Sequence, residues 1–94
     1  MTTTVFDAAN YLETEEDIIF FLDAALEGGE ARHFADCLGI VARSKGMTEI
    51  ARRTGVKRQA LYHALSEAGN PTLATLTAVL DALGLRMRID RKAA

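Results

Sequence analysis

Met47-Thr48-Glu49-Ile50-Ala51-Arg52-Arg53-Thr54-Gly55-Val56-Lys57-Arg58-Gln59-Ala60-Leu61-Tyr62-His63-Ala64-Leu65-Ser66-Glu67-Ala68 is the segment around which the chain is organised. It reads as a short helix over 47–54, a tight turn, and a second helix over 57–68. Ala51 is small where two helices would cross. Gly55 follows four residues later, where a turn between crossed helices needs positive φ. Val56, Leu61 and Ala64 point inward, while Lys57, Arg58, Gln59, Tyr62 and His63 point to solvent. That is the geometry of a helix-turn-helix, whose second helix enters the DNA major groove by its N-terminal end.

Residue types on that face suit base and phosphate recognition. Arg58 could read guanine O6/N7 in a bidentate way, and Gln59 could read adenine N6/N7. Lys57 stands at the same end. Tyr62, one turn on, could meet a thymine methyl or a phosphate, and His63 beside it could make a polar contact. Thr48, Asn70 and Thr72 fall near helix N-termini, where side-chain and backbone donors hold phosphates. Lys45, Arg52 and Arg53 are neighbouring phosphate contacts or, for the two arginines, solvated charges. A palindromic site read by a dimer is the natural expectation.

Outward from this unit, the chain of 94 residues is long enough for one small domain. It is 49% hydrophobic and 26% charged, which is ordinary globular composition. No apolar run approaches the ~20 residues of a membrane span, and no secretion signal is visible, so a cytoplasmic location is expected. One cysteine, Cys37, excludes an internal disulfide and fits a reducing compartment. No metal-ligand spacing, phosphate loop or nucleophile–base pair stands out, so neither an enzyme nor a cofactor is expected.

Charge is divided along the chain. Residues 1–42 hold nine acidic residues against Arg32 alone, a net of −8. Residues 43–94 hold ten basic and four acidic residues, a net of +6. Such a split fits two partners of opposite charge, or two solvated faces that balance each other.

Before the central unit, Val5, Phe6, Tyr11 and Leu12 are too apolar for a free tail, and Asp7 could cap a single turn over 8–12. Thr14 and Asp17 have capping-box spacing and open a helix whose stripe is Ile18, Phe21, Leu22, Ala25 and Leu26. Gly28-Gly29 ends it. Phe20 lies roughly 160–200° around from the stripe centre. It is exposed unless residues 5–12 or a partner covers it, and Ile19 sits at the stripe's edge. A second helix over 30–45 buries Phe34, Cys37, Leu38, Val41 and Ala42, and stops at Gly46. His33 reads as a surface histidine.

After it, Gly69-Asn70-Pro71 breaks the chain and Thr72 caps a helix over 73–83 with Leu73, Leu76, Val79, Leu80 and Leu83 apolar. Leu85-Arg86-Met87-Arg88-Ile89-Asp90 then alternates strictly, the pattern of a half-buried strand with Leu85, Met87 and Ile89 on one face. Nothing else in the chain would pair with it. A two-fold copy would satisfy its edge, as would the sheet of another protein; the other reading is a tail packed on one side.

The segment Leu38 to Leu85 resembles the HigA-like addiction-module antidotes of the lambda-repressor-like (Xre) class. The resemblance is carried by residues 38–51, by Thr54-Gly55-Val56, by residues 60–66, by Gly69-Asn70-Pro71-Thr72 and by Ala82-Leu83-Gly84-Leu85. Phe6-Asp7, Tyr11-Leu12 and the run from Glu15 to Leu26 also look like that family. The resemblance implies a compact five-helix lambda-repressor-like domain, all-α with a short C-terminal strand. It divides into an acidic extension 1–29, a DNA-binding core 30–84 and a strand 85–90. It further implies a type II antitoxin that binds a basic RelE/ParE-like toxin and represses their shared operon. Glu16, Ile19, Phe20, Asp23 and Glu27 are the expected toxin-facing residues, and Leu85, Met87 and Ile89 the expected homodimer residues. The alternatives are a stand-alone phage-repressor-like regulator and an interaction module that no longer reads DNA. The chain departs from many antitoxins in lacking a long disordered toxin-wrapping tail.

Overall fold

A computed structural model describes residues 12–66 and 69–93. Among them are five α-helices: α1 (Glu15–Glu27), α2 (Ala31–Lys45), α3 (Met47–Thr54), α4 (Arg58–Ala64) and α5 (Leu73–Ala82). The expected turn over 8–12 falls largely outside the described residues.

Local chemistry sets each boundary. Thr14 Oγ1 accepts the Asp17 N–H at 3.1 Å, and Asp17 Oδ2 accepts the Thr14 N–H at 3.2 Å, a complete capping box. Gly46 has φ 105° and serves two helices, closing α2 and opening α3. Gly55, with φ 77°, makes the left-handed turn that sends the chain from α3 into α4. Thr72 caps α5 by accepting the Thr75 N–H at 3.1 Å.

The core lies where α1 packs on α2, α2 on α3, and α3 on both α4 and α5. Leu38 and Val41 of α2, Leu61 of α4 and Val79 of α5 are fully buried at its centre. All five expected α2 positions are buried, as are Ile18, Leu22 and Ala25 of α1. Each buried Leu or Val contributes about 1.5–3 kcal/mol of transfer free energy.

Two expectations are corrected. Leu26 is 46% exposed, because in the last turn of α1 it lines an open groove. Leu73, the first residue of α5, is 66% exposed, while the C-terminal half of that helix meets the core. The assigned helix α4 ends at Ala64, short of 68, with Leu65 as its C-cap.

The expected C-terminal strand is also absent among the described residues. A strand exists only as part of a ladder, and the described residues offer 85–90 no second edge. The segment is anchored instead by the Leu85 N–H, which donates to the Leu80 carbonyl at 2.8 Å. Leu85 packs on the core, whereas Ile89 is 98% exposed.

Candidate DNA and partner surfaces

α3, the turn at Gly55 and α4 form a rigid pair whose outer side is polar. Lys57, Arg58, Gln59, Tyr62 and His63 are all exposed, and Leu61 between them is buried. The Arg58 guanidinium lies 5.3 Å from the centre of the Tyr62 ring, a cation–π contact one turn along α4. It restricts the arginine without consuming its donors. Thr48, in the first turn of α3, is exposed, and so is Asn70. Thr72 is exposed but its hydroxyl already caps α5 and donates to Thr75 Oγ1 at 3.2 Å.

Arg52 and Arg53 are bound within the protein. Both guanidinium groups meet the Glu49 carboxylate, Arg53 through Nε at 2.7 Å and Arg52 through Nε at 3.1 Å and a second, shorter contact. These hydrogen bonds, from Arg52 first and then Arg53, hold the Glu49 carboxyl at about 2, well below its ordinary 4.5. Arg53 also donates to the Ala82 carbonyl at 3.0 Å, which ties α3 to the end of α5.

Other residues position α4 and carry no signal of it in the sequence. Arg32, in the first turn of α2, donates to the carbonyls of Ser66 at 2.7 Å and Gly69 at 2.5 Å. It pairs with Asp36 at 3.0 Å as well. Gly39 lets α2 approach the end of α4: a Cβ there would stand 2.9 Å from the Leu65 carbonyl oxygen. At Gly69 a Cβ would stand 2.0 Å from the His63 carbonyl oxygen. The Arg32–Asp36 pair itself is an ordinary i,i+4 contact along α2.

On α1, Glu16, Ile19, Phe20, Asp23 and Glu27 are all exposed and recur at helical spacing on one side. Phe20 is 78% exposed. Ile19 and Asp23 continue from this face into a groove of about 240 Å³. Its other wall is Leu85, Met87 and Arg88, with Leu22, Phe34 and Leu80 behind. Residues that the sequence divides between two interfaces therefore share one concavity, and Leu26, expected in the core, lines it too, with Arg86 and Asp90. Ile89 does not line it.

Cys37 is buried beside His33, Sγ to Nε2 3.7 Å. Burial, and then the Asp36 charge, push its thiol pKa up, which makes it a packing residue rather than a nucleophile. No described helix is long and apolar enough to cross a membrane.

Residues 2–91 match the family described as "probable addiction module antidote protein". A protein of Haemophilus influenzae, itself uncharacterised, is 40% identical over 86 residues, 92% of this chain and 89% of the relative. No solved structure matches. With nearly its whole length inside the match, the chain belongs to the family of probable addiction module antidote proteins.

Proposed function

We propose that this protein is the antitoxin of a type II toxin–antitoxin pair, which neutralises a basic RelE/ParE-like toxin by direct binding and represses its own operon as a DNA-binding dimer. Membership of an antidote family carries the reading, because an antidote acts on a toxin. Two surfaces support the division of labour. The acidic side of α1 has the charge to attract a basic toxin and speed their encounter. The outer side of α4 has the residues of a lambda-repressor-like reading helix. Lys57, Arg58, Gln59 and Tyr62 read base edges, while Thr48, His63, Asn70 and Thr72 hold phosphates by side chain or backbone.

Dimerisation doubles those contacts on a palindromic operator. The C-terminal residues Leu85, Met87 and Ile89 serve the two-fold copy or the toxin. The cytoplasm, where operon and toxin target are found, is the place of action.

Co-expression with the protein encoded by the adjacent gene tests the reading. A complex that co-purifies with this chain and shifts a fragment carrying the operon's own promoter is the expected result. Promoter binding without any complex would instead make the protein a stand-alone phage-repressor-like regulator.

A further inference from the structure

We propose that the groove between α1 and residues 85–90 seats an apolar anchor of the toxin, so that Leu85 and Met87 belong to the toxin interface and not to a two-fold seam. This deepens the antitoxin reading and rests on it.

Size comes first. At about 240 Å³ the groove is smaller than the ~300–1,000 Å³ of a small-molecule site. It suits one large apolar side chain with its neighbours, the usual anchor of a protein interface. The walls are apolar on both sides: Ile19 and Leu26 from α1, Leu85 and Met87 opposite.

Charge then selects the occupant. α1 carries Glu15, Glu16, Asp17, Asp23 and Glu27 and no basic residue. Ile19 and Asp23 belong both to the groove and to the outward acidic face, so whatever fills the first also covers the second. A two-fold interface sets the same patch on both sides. A second copy that met its twin through α1 would set like charges against each other. A basic partner avoids that opposition along α1. The occupant is therefore an apolar residue ringed by Lys or Arg. Two arginines, Arg86 and Arg88, stand on the C-terminal wall; Arg88 pairs with Asp90 at 3.3 Å, and the acid of α1 faces outward on the other wall. Ile89, outside the groove and 98% exposed, remains for the two-fold contact.

The test uses the full chain, the purified product of the adjacent gene, calorimetric titration, and sedimentation equilibrium of the chain alone. Ile19→Arg and Met87→Arg place a like charge on each wall against a basic partner. Both positions are partly exposed, so the variants keep the helical fold, checked by circular dichroism. Each variant should weaken the complex at least about tenfold while the mass of the free chain stays at the wild-type value. Affinities within about twofold of wild type for both variants would overturn the inference and leave the antitoxin reading standing. A halved mass in either variant would make the groove the seat of a second copy and overturn it too. Failure of the wild-type chain to bind would remove the antitoxin reading itself, a result distinct from the other two.

Discussion

The guanidinium of Arg32, at the start of α2, donates to the backbone carbonyl of Gly69, 37 residues away. The same side chain bonds the Ser66 carbonyl and the Asp36 carboxylate. One exposed arginine thus satisfies backbone acceptors just beyond the helix that carries the candidate base-reading residues. Hydrogen bonds to a charged group are worth about 1.5–3 kcal/mol, less where water competes. Arg32→Ala should lower stability by about 1–2 kcal/mol in urea unfolding. Arg32→Lys should recover only part of it, because a lysine cannot reproduce the planar fork. Equal stability for all three proteins would rule this role out.

Gly39 offers a sharper test of packing. In an exposed helix, Gly→Ala adds about 1 kcal/mol of stability. Here the new Cβ would meet the Leu65 carbonyl oxygen at 2.9 Å, a backbone atom that cannot step aside cheaply. Overpacking costs about 1–3 kcal/mol. Gly39→Ala should therefore lower the melting temperature by several degrees, at about 4–8 °C per kcal/mol for a domain of this size. A higher melting temperature would show that α2 and α4 are not this close.

Acid should expose the Glu49 cluster. Its carboxyl is held at about 2 in the folded chain against an ordinary 4.5. A carboxyl depressed by folding stabilises the fold above its unfolded value, and that contribution disappears as pH falls through the folded one. Wild type should thus exceed Glu49→Gln in urea midpoint near neutral pH. The gap should narrow below pH 4.5 and close near pH 2. Salt should shrink it as well, because the group lies at the surface. A gap independent of pH would mean the glutamate acts by packing alone.

Arg58 and Arg52 should separate on DNA. Arg58 retains its donors while resting on Tyr62, whereas Arg52 spends its own on Glu49. Arg58→Ala should weaken operator binding by about 1–3 kcal/mol and relax preference at one base pair. Arg52→Ala should change affinity less and preference not at all. Fluorescence anisotropy against operators substituted one base pair at a time reads both effects. Unchanged preference in Arg58→Ala would mean that another residue reads the bases.

Helix positions were legible because they rest on local chemistry: the Thr14–Asp17 box, the glycines at 46 and 55, and the period of Phe34, Cys37, Leu38, Val41 and Ala42. Leu26 misled because periodicity marks an apolar side but not where along a helix the neighbour ends. The alternation from Leu85 to Ile89 also misled, since a ladder is a property of two segments and a sequence shows only one. Arg32, Gly39 and Gly69 were invisible as positioning residues, because each acts on a backbone atom more than five residues away in sequence. The groove was illegible for the same reason: it exists only once α1 and the C-terminal segment lie side by side.

On the proposed reading one small fold carries two independent faces, a basic one for an operator and an acidic one for a toxin. Growth of cells expressing the product of the adjacent gene tests this in one assay, with this chain supplied as wild type, as Arg58→Ala, or as Glu16→Lys/Asp23→Lys. Wild type and Arg58→Ala should both restore growth, while the charge-reversed α1 variant, folded and equally abundant, should not. Restored growth with the α1 variant, or arrest with Arg58→Ala, would contradict it.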